Sequence, residues 1–267
     1  MLVSVILTNY NYSKFLSKCI DSVINQTYKN IEIIIIDDCS TDNSQNIILE
    51  YKKKHHNILT IFNSKNLGVI NARNVGIDMS NGEYLCFLDA DDYWDKNKIN
   101  LQLNLTLQYD LSFCDMFIID EFNNISSVKT HKNSFDIYNF KTLLKYNFIP
   151  HSSLMVKKSI LSDIRYREIP KTRFSDKICN LFSVRRFIHE DYDFLLRLYK
   201  FNNPNTRYIN KKLIFYRKHS NSFSTGLKKK IFSVLFIFNN SLNYNLLTSI
   251  YLTFRISFFS YIRKISN

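Results

Sequence analysis

The sequence predicts an α/β fold in which a mostly parallel sheet is flanked by helices. Short apolar runs rich in β-branched residues recur through the first hundred positions, and each has the length of a buried strand. Amphipathic helical patterns separate these runs, so that strand and helix alternate. Four such units in succession indicate a sheet that binds its ligands beyond the carboxyl ends of the strands.

The elements of the first part follow one another closely. We predict strands at 2–7, 31–36, 58–62 and 84–88, and helices at about 14–25, 43–54 and 69–79. Two helix starts are marked by residue types that favour N-caps, namely Ser13 and the cluster of Ser40, Asp42 and Asn43. Polar residues follow each of the strands, so we expect these residues to converge at one edge of the sheet.

The second half is less regular. We predict a helix at 96–108, strands near 112–119, 151–156 and 207–216, and a helix from about 190 to 201. The segments 121–135 and 163–188 are predicted to be loops. No internal repeat is visible in the sequence.

The net charge of +13 is distributed unevenly. Residues 1–193 hold 23 acidic and 23 basic side chains, whereas residues 194–267 hold 13 Lys or Arg and no acid. This asymmetry indicates an anionic partner, which could be a membrane surface, a phosphate-bearing substrate or a nucleic acid. The alternative is a solvated tail that only aids solubility.

The basic tail contains one long near-apolar stretch, 246–262, interrupted by Arg255 and by several Ser and Thr residues. A spanning helix needs ~20 predominantly apolar residues, which this stretch does not reach. A basic amphipathic helix lying in the membrane interface is favoured. A helix packed on the main domain is the alternative.

The cysteines and the first residues bear on cellular location. The five cysteines form no CxxC pair and no Cys/His cluster, so a zinc site is not indicated and a reducing, cytoplasmic setting fits. The chain opens on an apolar run that is typical of a strand and lacks a basic leader, so we expect no signal peptide.

Asp89 and Asp91 form a DxD sequence at the end of the fourth predicted strand. Two carboxylates at this position repel each other, and a divalent cation relieves the repulsion. Mn²⁺ and Mg²⁺ accept oxygen ligands and are commonly shared with substrate phosphates. A turn with helix-capping aspartates is the alternative, but the flanking segments GEYLCFL and DYW favour the metal site.

Three further residues suit the binding of a nucleotide. A carboxylate at Asp38, after a run of four isoleucines, can accept the imide N–H of a uracil ring, although capping of the next helix by Asp37 or Asp38 is the alternative. Tyr10 can stack on a base. Arg73 can pair with a diphosphate through charge-assisted hydrogen bonds, or it is an ordinary helix-surface arginine.

Glu190 and Asp191 stand at the start of a predicted helix. A helix N-terminus stabilises a carboxylate in its ionised form. An ionised carboxylate can take a proton from an acceptor hydroxyl, which is the task of a general base. Simple helix capping is the alternative.

In these segments the chain resembles bacterial family-2 glycosyltransferases of the GT-A fold. The resemblance covers about residues 2–225 and rests on four segments in order, VSVILTNYNYSKFLSKCIDSVINQTYKNIEIIIIDDCSTDNS, NLGVINARNVGIDMSNGEYLCFLDADDYW, HEDYDFLLRLYK and YRKHSNSFS. Within the family the chain is similar to transferases that build capsule, O-antigen or teichuronic-type polysaccharides. It departs from the family at Cys39, where glycine is usual.

The resemblance implies a donor-binding set. Thr8, Tyr10 and Asp38 would hold the uridine, and Arg73 would support the nucleotide. Asp89 would touch the ribose or the metal.

It also implies the metal and the base. Asp91 would bind Mn²⁺ or Mg²⁺ directly, with Asp89 close by. His219, in the Tyr-Arg-x-His segment, would approach the metal or the diphosphate. Asp191 would be the general base.

The implied architecture is a Rossmann-like GT-A domain over 1–225, with a nucleotide-sugar-binding half (1–95) and an acceptor-binding half (96–225). A basic amphipathic helical tail would follow over 226–267. The implied reaction is an inverting transfer from a nucleotide sugar, with UDP favoured, to a hydroxyl of a lipid-linked glycan. The enzyme would be cytoplasmic and peripheral at the inner face of the cytoplasmic membrane, where it contacts anionic lipid and no nucleic acid.

Three other functions compete with this interpretation. A nucleotidyltransferase that makes nucleotide sugars also uses acidic metal ligands, but its glycine-rich phosphate loop would stand where this chain has TNYNYS. A non-catalytic protein that binds nucleic acid or other anions would explain the basic tail but not the acidic clusters. A silent relative of the transferases is disfavoured by the presence of Asp91 and Asp191.

Overall fold

A computed structural model describes residues 1–106, 108–131, 138–145, 147–168, 190–219, 231 and 234–265. The chain divides into two compact units. The first comprises Met1–Asp136, Ile149–Arg165 and Pro204–Ser220, and the second comprises Ile137–Phe148, Tyr166–Asn203 and Asn221–Asn267. The domain boundaries expected from the sequence, 1–225 and 226–267, stay a prediction.

The first unit opens with alternating strands and helices, as predicted. The strands are β1 (Val3–Asn9), β2 (Ile31–Asp37), β3 (Ile58–Phe62) and β4 (Tyr84–Asp89), and the helices are α1 (Ser13–Ile24), α2 (Ser44–Lys54) and α3 (Val69–Met79). The pairs β1–β2, β1–β4 and β2–β3 are parallel. The sequence therefore predicted each of these seven elements with the correct type.

The remaining strands complete one sheet in the described part of the first unit. They are β5 (Tyr93–Trp94), β6 (Leu111–Ile119), β7 (Ile125–Lys129), β8 (Met155–Lys157) and β9 (Thr206–Arg217), with helix α4 (Lys98–Thr106) between β5 and β6. The strand order is β3-β2-β1-β4-β8-β6-β9-β5, with β7 beside β6. β6 and β9 are parallel, whereas β8, β5 and β7 pair antiparallel to their neighbours.

Two sequence predictions in this region are corrected. Residues 125–129 were expected within a loop but form β7, whose five residues are all exposed and so lack the alternation that marks a half-buried strand. The strand expected at 151–156 is a 3₁₀ turn at His151–Ser153 followed by β8.

The start of α1 differs from the cap expected there. Ser13 is the first helical residue, and its backbone N–H donates to Asp42 Oδ2 over 2.8 Å. Asp42 Oδ1 accepts from the backbone of Ser44 over 3.0 Å, so one carboxylate serves the N-termini of α1 and α2. The residue types of the predicted caps were right, but the N-cap role of Ser13 was wrong.

The core explains why α3 lies directly on the sheet. β1 and β2 are buried on both faces over most of their length, as expected for central parallel strands. α3 crosses β1 at Gly76, where an added Cβ would meet Ile6 Cγ2 at 2.3 Å. Only glycine permits this close approach, which fixes the helix that carries Arg73.

The second unit consists of helices in its described part. They are α5 (Phe140–Leu143), α6 (Glu190–Asn202), a π-helical turn (Ile237–Ser241) and α7 (Leu246–Ile265). Phe194 of α6 stacks on Tyr166 with ring centroids 4.2 Å apart, and Tyr192 Oη donates to the Leu143 carbonyl over 2.9 Å. Most of the loop predicted at 163–188 lies outside the described residues.

Candidate active site

Asp89 is the last residue of β4 and is held by two neighbours. Arg73 Nη2, on the buried α3 arginine, lies 2.9 Å from Asp89 Oδ1, and Thr8 of β1 stands directly across the parallel ladder. Burial raises the pKa of Asp89, but the charges of Arg73 and His151 and the hydrogen bonds from Arg73 and Thr8 together outweigh it, so this pKa lies below its ordinary value. The structure thus brings together three of the predicted donor-binding residues.

Asp91 meets His219, which stands two residues beyond the end of β9. Their Oδ2 and Nε2 atoms are 3.1 Å apart, and the His219 ring packs against Tyr12 and Phe15 with centroid distances of 5.6 Å and 5.7 Å. Burial raises the pKa of Asp91, as does the negative charge of Asp89, while the hydrogen bond to His219 opposes the shift. Two of the three residues predicted for the metal site, Asp91 and His219, are therefore in contact.

Asp92, which the sequence argument did not assign, has a structural role. It is buried, and its two carboxylate oxygens accept from Ser152 Oγ over 2.7 Å and from the backbone N–H of Arg217 over 2.9 Å. Burial and the charges of Asp91 and Asp89 raise its pKa well above the ordinary value. Three carboxylates within four residues therefore concentrate negative charge at the end of β4.

Arg217 is the residue that sequence reasoning missed. Its guanidinium is buried under Phe15, 4.4 Å from the ring centroid, and its Nε donates to the Asp91 carbonyl over 2.8 Å. Nη1 donates to the carbonyl of Asp120 over 2.8 Å, and Nη2 donates to Asn123 Oδ1 over 2.9 Å. Arg217 thereby ties the DxD turn to the turn between β6 and β7, through backbone acceptors that no sequence pattern could indicate.

Asp38 is buried and already accepts three hydrogen bonds. The donors are Asn63 Nδ2 and the backbone N–H groups of Leu67 and Gly68, at 2.8, 2.9 and 2.7 Å. Gly68 has a φ of 83°, a conformation that favours glycine, directly before α3. The carboxylate expected to accept from uracil thus also fixes the turn that begins α3.

Asp37 is fully buried and belongs to the turn after β2. It accepts from Asn9 Nδ2 over 2.7 Å, from the backbone of Ser40 over 2.9 Å and from Gln45 Nε2 over 3.2 Å. Asp37 therefore closes the turn that precedes α2 and does not cap that helix, whose first residue, Ser44, donates its backbone N–H to Asp42. Cys39, next along, has a φ of 66°, the left-handed conformation for which glycine is the usual residue.

The ends of β1 and β2 meet, which brings Tyr10 near the turn after β2. The backbone N–H of Asp38 donates to the Asn9 carbonyl over 2.9 Å, and the Tyr10 side chain is exposed. An exposed tyrosine beside this turn is available to stack on a flat ligand. The uridine set predicted from the sequence, Thr8, Tyr10 and Asp38, shares one edge of the sheet.

Asp191 belongs to the second unit, at the first turn of α6. It is half-buried, and its Oδ1 accepts from the backbone N–H of Tyr192 over 2.7 Å. Asp193, two residues on, is fully buried and lies 2.8 Å from Arg197 Nε and 3.8 Å from Arg167 Nε. Of these two aspartates, Asp191 has the more accessible carboxylate and Asp193 has a structural ion pair.

A pocket of about 490 Å³ opens beside His219 and is lined by Asp120, Glu121, Phe122, Lys218 and His219. Another pocket of about 690 Å³ lies near the opposite end of β4, where Tyr84 begins the strand. The second pocket is lined by none of the predicted site residues. The pocket at His219 is therefore the one that belongs to the candidate site.

The model of glycosyl transferase family 2 matches residues 4–193. The chain belongs to glycosyl transferase family 2. The matched segment contains Asp89, Asp91 and Asp191, whereas His219 lies beyond it. The enzyme class is therefore glycosyltransferase, which excludes the nucleotidyltransferase alternative.

Two curated members of family 2 illustrate the similarity. An uncharacterized glycosyltransferase of Haemophilus influenzae is 32% identical over 245 residues, covering 89% of this chain and 86% of the relative. The UDP-Glc:alpha-D-GlcNAc-diphosphoundecaprenol beta-1,3-glucosyltransferase WfaP of Escherichia coli is 34% identical over 176 residues, covering 65% of this chain and 68% of the relative. The named acceptor of WfaP is a lipid-linked sugar.

Two solved structures share the fold. Residues 1–349 of TarS from S. aureus, in complex with UDP-GlcNAc, align with a TM-score of 0.69 at 19% identity over 96% of this chain and 71% of that chain. The mannosyltransferase PcManGT of Pyrobaculum calidifontis, in complex with GDP-Man and Mn²⁺, aligns with a TM-score of 0.61 at 13% identity over 97% of this chain and 72% of that chain. The predicted GT-A fold is confirmed.

The residues after β4 fit a divalent cation in this family 2 chain. The raised pKa values of Asp91 and Asp92 reflect burial and uncompensated negative charge, which a cation would offset. Within the described ranges, no three His, Cys, Asp or Glu side chains converge well enough to hold an ion by themselves. Two protein ligands are sufficient where substrate phosphates and water complete the coordination, as is usual for Mg²⁺.

Proposed function

We propose that this family 2 enzyme transfers a sugar from a UDP-sugar, with inversion at the anomeric carbon, to a hydroxyl of a lipid-linked glycan in surface polysaccharide biosynthesis. The observation that carries the proposal is the set of acids after β4. Arg73 and Thr8 hold Asp89 there, and Asp91 contacts His219 at the carboxyl edge of the parallel strands.

The donor half of the site suits a uridine nucleotide. Tyr10 offers an exposed ring, Thr8 offers a hydroxyl, and Asp38 offers a carboxylate whose oxygens have capacity beyond the three bonds they accept. Arg73 supports Asp89, which we assign to the ribose or the metal. UDP is favoured because TarS was crystallised with UDP-GlcNAc and WfaP is named as a UDP-glucose enzyme.

We assign Asp91 as a direct ligand of a Mn²⁺ or Mg²⁺ ion, with Asp89 or His219 as the second protein ligand and the substrate diphosphate and water completing the coordination. When bound, the ion would neutralise the charge that develops on the diphosphate leaving group. His219 is positioned for this role by its packing against Tyr12 and Phe15. The complex of PcManGT with Mn²⁺ supports the assignment by analogy of fold.

We assign Asp191 as the general base. Its carboxylate takes the proton of the acceptor hydroxyl, whose oxygen then forms a bond to the anomeric carbon. The bond from that carbon to the diphosphate oxygen breaks, and UDP leaves with the electron pair. Asp191 lies in the first turn of α6 and is half-buried, so its carboxylate is accessible to a hydroxyl.

The experiment that tests this function is nucleotide release from UDP-, GDP-, TDP- and CMP-sugars, with Mn²⁺ or EDTA. The acceptors are GlcNAc-diphospholipid and a membrane lipid extract. We expect release of UDP that depends on both the metal and the acceptor. Release of a nucleotide other than UDP would contradict the donor assignment. Release that EDTA does not affect would contradict the metal assignment.

We also propose that the enzyme contacts the anionic inner face of the cytoplasmic membrane through α7. Leu247, Ile250, Tyr251 and Phe254 are exposed at helical spacings of three and four residues, while Leu252 and Ile256 on the opposite side are buried. Singly exposed apolar residues are common, but a continuous apolar stripe indicates an interaction surface. No helix in the described ranges is long and apolar enough to cross a bilayer.

The charge of this region favours lipid as the partner. Residues 194–267 hold 13 Lys or Arg and no acid. An amphipathic helix of this kind lies in the interface plane, and anionic headgroups contribute about 1 kcal/mol per well-placed basic side chain. A second copy of the chain is a less suitable partner, because its own positively charged region would be repelled by this one.

Vesicle flotation tests the membrane contact. We expect the enzyme to float with phosphatidylglycerol vesicles and to do so less in high salt or with pure phosphatidylcholine. The combined variant Leu247→Ser, Tyr251→Ser and Phe254→Ser is expected to stay in the lower fraction. The matched control, Leu49→Ser with Leu59→Ser, alters exposed leucines of the first unit. Equal flotation of the two variants would contradict the role of α7.

A further inference from the structure

The turn between β6 and β7 is unusually well fixed for an exposed loop. Asp120 Oδ1 accepts from the backbone N–H groups of Phe122 and Asn124, each over 2.8 Å, and Asp120 Oδ2 accepts from Asn124 Nδ2 over 2.9 Å. Asn123 takes the left-handed conformation with a φ of 72°. The side chain of one aspartate thus closes the turn from within.

The buried arginine described above holds this turn from below. Arg217 donates to the Asp120 and Glu121 carbonyls over 2.8 and 3.3 Å and to Asn123 Oδ1 over 2.9 Å. The same guanidinium donates to the Asp91 carbonyl over 2.8 Å. The turn is therefore held in a fixed position relative to the DxD turn.

The turn presents one large apolar side chain to solvent. Phe122 is 80% exposed and lines the 490 Å³ pocket beside His219, together with Asp120, Glu121 and Lys218. Lys14 reaches over from α1, with Nζ 3.0 Å from Glu121 Oε2 and 6.0 Å from the Phe122 ring centroid. An aromatic ring on a rigid support, beside carboxylates and a lysine, matches the composition of a ligand subsite.

We propose that Phe122 is a stacking platform for a pyranose ring of the acceptor glycan. The face of an aromatic ring carries partial negative charge and attracts the axial C–H groups of a sugar, while carboxylates and ammonium groups hydrogen-bond the hydroxyls. The platform lies at the pocket that His219 also lines, and His219 contacts Asp91. This inference rests on the proposed function and names the substrate that this side of the site recognises.

The position of Phe122 in the sheet favours the acceptor over the donor. Of the nucleotide residues, Thr8 lies in β1 and Asp38 follows β2, on one side of β4, whereas Phe122 follows β6, on the other side in the strand order. The transferred sugar adjoins the diphosphate, in a part of the site that must exclude water. The Phe122 ring is 80% exposed at the rim of the pocket, where it can bind the end of an acceptor glycan whose remaining sugars extend into solvent.

Binding and kinetics of Phe122 variants test the platform. UDP affinity is measured in Mn²⁺. Binding of methyl glycosides of glucose, GlcNAc, galactose and mannose is measured by saturation-transfer NMR in the presence of UDP. Phe122→Ala is expected to lose the saturation transfer to the sugar ring, and Phe122→Trp to retain it. UDP affinity should be the same in all forms. The matched control is Phe201→Ala, which removes another exposed phenylalanine, on α6.

Turnover separates the acceptor from the donor. With GlcNAc-diphospholipid as acceptor, Phe122→Ala is expected to raise the acceptor KM about 3- to 10-fold, with the donor KM unchanged. A raised donor KM, weaker UDP binding, or behaviour like that of the wild type would each overturn the proposal. The NMR readout needs no turnover, so failure of the transfer reaction and failure of the platform give different results.

Discussion

Each of the two compact units carries a cluster of aspartates, and the two clusters balance their charge differently. After β4, Asp92 is buried and Asp91 is half-buried, and both have raised pKa values because desolvation and neighbouring acids disfavour their charged forms. At the start of α6, the buried Asp193 lies between Arg197 and Arg167, at 2.8 and 3.8 Å. We therefore expect the first cluster to bind a metal cation, whereas in the second cluster arginine side chains of the chain itself supply the positive charge.

The difference separates structural from chemical carboxylates. Within each cluster one aspartate is fixed by protein donors, namely Asp92 by Ser152 and Arg217 and Asp193 by Arg197. The other, Asp91 or Asp191, is the more accessible and is the one that the family resemblance assigns to chemistry. Acids that are neighbours in the sequence therefore have two different roles, which substitutions can distinguish.

The largest effect is expected at Asp191. Asp191→Asn keeps the side chain's size but removes the proton acceptor, so we expect kcat to fall by about 10²- to 10⁴-fold. UDP affinity should stay unchanged, because the donor residues lie in the other unit. Steady-state kinetics and calorimetry with UDP measure the two quantities. The control Asp78→Asn alters a surface carboxylate paired with Arg165. Turnover of Asp191→Asn close to that of the control would remove Asp191 from the role of base.

A smaller effect, on stability, distinguishes the two structural aspartates. Asp193→Asn removes the negative charge that lies 2.8 Å from the buried Arg197, so we expect a loss of about 3 kcal/mol in the free energy of unfolding. Asp92→Asn removes a carboxylate whose charge is already disfavoured and keeps an acceptor for the Arg217 backbone, so about 1 kcal/mol is expected. Urea denaturation measures both values. Equal losses in the free energy of unfolding would contradict the proposed difference between Asp92 and Asp193.

Removal of a metal ligand is expected to act on binding rather than on folding. Asp91→Asn weakens the anionic site that the Mn²⁺ ion would use, so UDP affinity in Mn²⁺ should fall at least about 10-fold. Affinity measured in EDTA should be the same for variant and wild type. Titration calorimetry in both buffers makes the comparison. A variant that keeps the full effect of Mn²⁺ on UDP binding would show that Asp91 is not a ligand.

The sequence predicted the βα half of the fold because buried parallel strands are continuous apolar runs that pattern alone reveals. It missed β7, whose five exposed residues carry no alternation. It singled out Asp38 for its place after a strand, but it could not show that Asn63, Leu67 and Gly68 already donate to that carboxylate. Arg217 was missed for the same reason, since its acceptors are mostly backbone carbonyls that any residue can supply.

The turn after β2 offers a third acidic pair, whose charges are met by hydrogen-bond donors alone. Asp37 and Asp38 accept six hydrogen bonds between them, and the turn that joins them to α2 passes through Cys39 with a φ of 66°. An L-residue in this conformation costs roughly 1–2 kcal/mol, which glycine avoids. Glycine also gains more entropy in the unfolded chain, by about 0.5–1 kcal/mol.

The smallest effect is therefore expected from Cys39→Gly. The relief of backbone strain exceeds the entropic loss, so the variant should be more stable by about 0.5–1 kcal/mol, measured by urea denaturation. Cys39→Ala keeps a Cβ and is the matched control, expected to resemble the wild type. UDP affinity should not change, since the donors to Asp38 are untouched. Should Cys39→Gly be less stable than Cys39→Ala, the entropic loss would exceed the strain relieved at a φ of 66°. A loss of stability in both variants would instead be due to the Cys39 side chain, whose Sγ lies 3.7 Å from the Ser64 carbonyl.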